Sequence, residues 1–276
     1  MQTEMLIALL KANININRIL SMYPFEKDSI DSNSNLIHAL THEYEKLQFS
    51  NTSFLEIKRE TYHIMEYCIK NKIKLLSIFD KDYPKKLLDI KTPPLLLFYR
   101  GNIEVLSNMN SVAVIGSRNS TTHGNKVAYR FGEVLAENNI AVVSGLAEGI
   151  DIYAHRGSLS KAGANIAILA TGMDQIYPSK SIAVYQEILD KGGCIFTEYL
   201  PFSPVHKSNF VYRDRLESGI SNGIIVVEAA LRSGTMHTAE YAFKQNKIIG
   251  VYVHSNKFSN YSGIYGNKKL LLSPQI

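Results

Sequence analysis

Arg118 is the residue of this chain best placed to grip an anion. It follows Gly116-Ser117 at the end of the apolar run Ser111–Gly116 and precedes Asn119, Ser120, Thr121 and Thr122, with Gly124 close behind. A guanidinium holds a phosphate through two parallel hydrogen bonds. Hydroxyl and amide side chains add donors, and glycine lets backbone N–H groups approach a ligand. A helix cap would account for the Ser, Thr and Asn but not for the arginine. Three further turns repeat the pattern. Ile140–Ser144 runs into Gly145, with Gly149 and Asp151 beyond; Asn165–Leu169 runs into Gly172; Gly223–Glu228 leads to Arg232-Ser233-Gly234-Thr235. A fourth segment is basic and aromatic: Lys207, Asn209, Phe210, Tyr212, Arg213 and Arg215 alternate over one helical stretch. Such interleaving suits a strand whose bases stack on rings while its phosphates meet cations.

Other chemistry has little support. The turn spacing is not GxGxxG, and no GxxxxGK[ST] occurs, so neither a dinucleotide fingerprint nor a P-loop is present. Asp151 and His155 share a helical face, which suggests a helix cap and its neighbour before it suggests acid–base catalysis. Glu228 reads as a partner for backbone N–H groups. The two cysteines, Cys68 and Cys194, have no metal-ligand or disulfide spacing, and Cys194 sits in an apolar run as a small hydrophobe. We expect no catalytic residue, no metal and no cofactor: the residues describe an anion groove and no reaction.

The elements that position these turns follow from the hydrophobic pattern. Short β-branched runs at 111–116, 140–144, 165–169, 193–197, 223–227 and 248–253, each followed by a helical stretch, predict a doubly wound, mostly parallel α/β sheet. All strand-to-helix turns of such a sheet gather at one edge and form a crevice there. Upstream, 74–79 and 95–99 read as strands joined by the Asp80–Pro84 turn and a short helix starting at Leu87, with Pro93-Pro94 forcing extended chain. Residues 1–75 differ: helical periodicity at 5–10, 36–40 and 54–69 predicts a small helical (SAM-like) domain, interrupted by the polar stretch 28–35. The apolar side of its last helix is expected at Leu55, Ile57, Tyr62, Ile64, Met65 and Ile69. The predicted division is thus 1–75 helical, 76–110 connector, 111–254 core, and 255–276 a polar tail without a winged-helix domain.

The chain has 276 residues and a formal net charge of +5, and the excess of cations lies mainly in residues 111–276, which hold the glycine turns. That is compatible with a polyanionic partner. No signal peptide and no apolar stretch of membrane length stand out, so the expectation is a cytoplasmic protein.

Taken in order, these blocks resemble the bacterial DNA-processing protein A family (DprA, also called Smf). The resemblance covers Leu75 to Val253. It rests on Tyr83-Pro84, Pro93-Pro94, Gly116-Ser117-Arg118, Val143 through Asp151, Ala154-His155-Arg156, Thr171 through Asp174 and Ile176-Tyr177-Pro178. Asn209-Phe210, Arg213-Asp214-Arg215, Ser218 through Ser221, Val226 through Ala229 and Arg232 through Thr235 complete it. It implies an extended Rossmann-like fold whose groove takes single-stranded DNA, and a homodimer that helps load the RecA recombinase in natural transformation. By position, Arg118, Lys207, Arg213 and Arg215 become phosphate contacts and Phe210 a stacking contact. Three departures stand out: Ser181 replaces the last residue of Tyr-Pro-x-x-Asn, Asp214 replaces the amide of Arg-Asn-Arg and puts a negative charge in the groove, and Tyr252-Val253-His254 replaces the usual Val-Pro-Gly. The rival reading is a nucleotide-binding or nucleotide-cleaving enzyme of the LOG type on the same fold. Its Pro-Gly-Gly-x-Gly-Thr-x-x-Glu motif is poorly matched by Arg232-Ser233-Gly234-Thr235, with Glu240 two places too far. A partner-binding protein with a vestigial groove is the third.

Overall fold

The apolar runs pair as one eight-stranded sheet in the computed structural model, which describes residues 2–23, 25, 33–50 and 54–273. Its strands are β1 Lys74–Ser77, β2 Leu96–Gly101, β3 Ser111–Gly116, β4 Ala141–Ser144, β5 Asn165–Ile168, β6 Cys194–Thr197, β7 Gly223–Glu228 and β8 Ile248–Val251. The spatial order is β1-β2-β6-β5-β4-β3-β7-β8. Strands β3 to β8 pair in parallel, while β2 joins β6, and β1 joins β2, antiparallel. The fold is therefore α/β, Rossmann-like and mostly parallel, as the pattern predicts. From β3 the strand order runs one way through β4, β5 and β6 and the other way through β7 and β8. The switch point lies between β3 and β7, where α/β sheets open their ligand crevice.

Alternation along the strands explains the two layers of helices. The helices are α1 Gln2–Lys11, α2 Ile16–Met22, α3 Ser34–Ser50, α4 Phe54–Lys70, α5 Lys85–Leu88, α6 Glu104–Asn108, α7 Thr122–Glu137, α8 Ile150–Ser160, α9 Ile182–Asp190, α10 Lys207–Ile220, α11 Gly234–Lys244 and α12 Tyr265–Leu271. Val114 and Val142 point to the layer of α7 and α8, where they meet Ala128, Leu135, Ile150 and Ala154. Ala113, Ile115, Val143 and Ile166 point to the other face, in the apolar cluster that holds Leu216 and Ile220 of α10. Leu6, Leu9, Leu36 and Leu40 of the N-terminal helices join that same cluster, beside Leu76 and Leu97 of the antiparallel edge.

The buried stripe of α4 is only partly the one expected, which included Ile57 and Ile64. Ile57, Thr61, Ile64 and Cys68 face inward, whereas Leu55 is 69% and Ile69 78% exposed. Residues 57, 61, 64 and 68 follow the helical repeat, while Leu55, Tyr62 and Ile69 lie seven apart on another face. The polar stretch expected at 28–35 falls largely outside the described residues; of it, 33–35 are described, and Ser34 opens α3. The chain after β8 folds back, with the Asn267 side chain accepting from the Ala229 N–H (2.8 Å) and donating to the Val227 carbonyl (3.0 Å). Among the described residues no helix is long and apolar enough to cross a membrane.

Candidate functional site

The switch point holds a cavity of about 520 Å³. The turn after β3 supplies Gly116, Ser117, Arg118 and Asn119; the start of α11 supplies Ser233, Gly234 and Thr235; α10 supplies Lys207, Phe210 and Val211. A second cavity of about 180 Å³ shares Arg118, Tyr177 and Phe210 and adds Gly145 and Glu148. The groove thus gathers five chain segments far apart in sequence at the C-terminal edge of the sheet. Local order comes from the turn itself. The Ser117 N–H donates to the Glu228 carbonyl at 2.7 Å, and the Asn119 N–H donates to Ser117 Oγ at 3.1 Å. Arg118, exposed at the mouth, places its guanidinium 4.8 Å over the Phe210 ring. Tyr177, which precedes a cis proline, meets Phe210 edge-on at 5.7 Å. The mouth therefore offers two cations, Arg118 and Lys207, around two rings.

The N-terminus of α7, where a dinucleotide-binding fold receives its pyrophosphate, is closed from within. The buried Glu228 carboxylate accepts from the Thr121 N–H at 2.8 Å and from Thr121 Oγ1 at 2.9 Å. Gly124 lies so close that a Cβ there would stand 2.5 Å from Glu228 Oε2. Glu228 is the backbone partner expected from the sequence, and it holds the place of a ligand phosphate. The α11 N-terminus carries no side-chain cap and opens on the cavity.

The floor is a buried charged cluster. Arg213, 3% exposed, donates to the Ile168 carbonyl at 2.7 Å and pairs with Glu217 at 2.7 Å and Asp214 at 3.5 Å. It packs so closely on Gly145 that a Cβ there would fall on the guanidinium. Asp151 accepts from the N–H groups of Gly145 (3.1 Å) and Ala147 (3.3 Å). Burial, opposed by Arg213, pushes the carboxyls of Asp214 and Glu217 up to about 7 and about 8, and raises Asp151 too. Burial pulls against the Arg213 charge, but Glu217, Asp214 and Asp151 outweigh it and raise that group.

Not every expected site residue reaches the groove. Gly116, Ser117, Arg118, Lys207, Phe210, Ser233, Gly234 and Thr235 converge on the large cavity, and Gly145 on the small one. Arg213 borders both cavities but is held by Ile168 and Glu217, so it is a floor strut rather than an open phosphate contact. Arg215 is a plain correction. It points to the opposite side of α10, bonding both Glu198 oxygens (2.5 and 2.6 Å) and Thr92 (3.1 and 3.2 Å), with its guanidinium 3.7 Å over Tyr212. Neighbours two apart on a helix face different ways, so Arg213 and Arg215 never shared one anion. Ser144 is buried and donates to the Val114 carbonyl (2.8 Å). Gly172 packs against the Leu200 carbonyl and Pro201. Asn209 anchors α10 by accepting from Tyr199 through its carbonyl (3.1 Å), and Arg232 is exposed beyond the lining. His155 does not pair with Asp151; its Nδ1 lies 2.8 Å from Asn165 Oδ1, and burial lowers it to about 4. The residue missed is Tyr177. Its Tyr-Pro dipeptide was the available signal, but nothing local placed that loop against α10.

The family model described as DNA recombination-mediator protein A matches residues 74–271. DNA processing protein DprA of Streptococcus pneumoniae is 38% identical over 176 residues, covering 64% of this chain and 61% of that protein. Protein Smf of Synechocystis sp. is 36% identical over 177 residues, covering 63% of this chain and 44% of that protein. The match thus spans less than two thirds of either relative. The structure of DNA processing protein A from S. pneumoniae superposes with a TM-score of 0.71 at 26% identity, covering 98% of this chain and 92% of that one. DNA processing protein A from Helicobacter pylori, a structure described for its single-stranded DNA binding mode, gives a TM-score of 0.65 at 30% identity, covering 74% and 89%.

Proposed function

This chain belongs to the DNA recombination-mediator protein A family, and from that premise we propose that its groove binds single-stranded DNA. The observation that carries the reading is the mouth built by Arg118, Lys207, Phe210 and Tyr177. Cations beside rings that border the cavity match a strand whose phosphates and bases must be met together, without reading their sequence. A duplex keeps its bases stacked inside and cannot use the rings. The closed α7 terminus, with Glu228 in the phosphate position, argues against a dinucleotide ligand.

In this proposal the protein acts by binding and not by a reaction. It protects incoming strands in the cytoplasm, works as a homodimer and helps RecA load during natural transformation. The experiment is a competition assay. A labelled oligo-dT bound to the protein should be displaced by unlabelled single strands and not by duplex of the same length. RecA-driven strand exchange should then start faster on strands that carry the protein. Equal displacement by duplex would overturn the groove reading. Release of free base from a nucleoside monophosphate would favour the nucleotide-cleaving alternative.

A further inference from the structure

The cavity below the groove mouth combines two features that conflict while its acids are ionised. Its rim gathers anion donors: Arg118, Lys207 and the open start of α11 at Ser233, Gly234 and Thr235. Its floor presents three carboxyls, Asp151, Asp214 and Glu217, around the single guanidinium of Arg213. A phosphate seated over ionised carboxylates is repelled, and the repulsion is strong where water is scarce.

The three acids are not equivalent. Glu217 is engaged by Arg213 at 2.7 Å, and Asp151 by the two N–H groups of Gly145 and Ala147. Asp214 makes a long 3.5 Å contact with Arg213 Nε and accepts a hydrogen bond from the Thr238 hydroxyl, with no close cation paired to it. That Nε has no hydrogen-bond partner of its own. Asp214 is 7% exposed and borders the cavity, so its carboxyl has capacity to spare and faces the space a phosphate would enter. It also senses the charge of Arg118 at the mouth.

We propose that Asp214 is a strand-binding residue in its acid form, donating its O–H to a backbone phosphate oxygen, so that strand binding takes up a proton from solvent. This rests on the reading of the groove as a single-strand site. The charged groups facing Asp214 are Arg213 and Glu217 on its own helix, Asp151 on α8 and Arg118 in the turn after β3, with the neutral Thr238 on α11. Burial and Asp151 favour the acid form; Arg213 and Arg118 oppose it. A bound phosphate shields Arg118 and adds negative charge, and both effects favour the proton further. By linkage, what raises proton affinity on binding must raise strand affinity as the pH falls.

The test is the affinity for labelled oligo-dT at constant ionic strength between about pH 6 and pH 9, for the parent and for Asp214→Asn. The amide donates a hydrogen bond at every pH and carries no charge. The parent should weaken as pH rises, approaching about tenfold per unit above the transition, while Asp214→Asn stays nearly flat. Calorimetry of the parent alone, in buffers of different ionisation enthalpy near neutral pH, should register net proton uptake and needs no variant. Equal pH profiles, or no proton uptake, would overturn the proposal and leave the groove reading standing. Absence of strand binding by both proteins at every pH would overturn the groove reading and this proposal with it.

Discussion

Arg118 places its guanidinium 4.8 Å over the ring of Phe210, joining the turn after β3 to the first turns of α10. One residue arrives at the end of a parallel strand and the other on a helix across the crevice, so neither segment forms the mouth alone. Lys207 stands one helical turn before Phe210 on the same side of α10. The pairing gives the groove a cationic wall and an aromatic wall at one place.

The aromatic wall is separable from the cationic one. Phe210→Ala or Tyr177→Ala should weaken single-strand binding about tenfold, in the range of one lost base stack. The salt dependence should stay as in the parent, because no phosphate contact is removed. Fluorescence anisotropy at several salt concentrations reads both quantities. A changed slope with unchanged affinity would argue that the rings only hold Arg118 in place.

Arg213 and Arg215 should behave as structural residues. Both are 3% exposed and paired with carboxylates, and removing one partner of a buried pair costs about 3–5 kcal/mol. Arg213→Ala and Arg215→Ala should each lower the melting temperature by on the order of 10 °C. A variant that melts like the parent while losing DNA would restore that arginine as an open phosphate contact.

Glu228→Ala should cost about 1–3 kcal/mol, because it leaves the half-buried Thr121 N–H without its acceptor. The loss is read in chemical denaturation. Unchanged stability would mean that the α7 terminus does not depend on its internal carboxylate.

The floor carboxyls should make stability decline as pH rises from the ordinary carboxylate range toward about 8. Asp214 and Glu217 have folded-state values raised to about 7 and about 8. Their contribution is complete below the ordinary carboxylate range and is lost as pH rises through 7 and 8. His155 is lowered to about 4, so its contribution is complete above its ordinary value and is lost as pH falls toward 4. Thermal melts should show the decline most clearly between about pH 6.5 and pH 8, where His155 no longer offsets it, and Glu217→Gln should reduce it. A parent melting temperature that does not fall between about pH 6.5 and pH 8 would contradict the buried floor.

The sheet was legible because its strands are short apolar runs, most of them bounded by glycine or proline. All eight strands begin within one residue of the run that announced them. The mouth was legible wherever a residue followed a strand directly, as Ser117, Arg118 and Gly145 do. It was not legible along α10. Counting basic residues ignored helical phase, which sends Arg213 to the floor and Arg215 to the far side, against Glu198 and Thr92. The α4 stripe was read only in part, at Ile57 and Ile64, for a related reason. Its buried positions include Thr61 and Cys68, residues that a search for large hydrophobes passes over. Tyr177 needed the tertiary fold, since only the approach of its loop to α10 makes it a neighbour of Phe210.

The central claim is that Arg118 and Lys207 hold strand phosphates at the switch point. The direct measurement is the slope of log affinity for oligo-dT against log salt, in the parent and in Arg118→Ala and Lys207→Ala. Each lost phosphate contact on a single strand should reduce the slope by about 0.7, with melting temperatures unchanged because both side chains are exposed. Slopes equal to the parent's in both variants would mean that the strand, if bound, lies elsewhere.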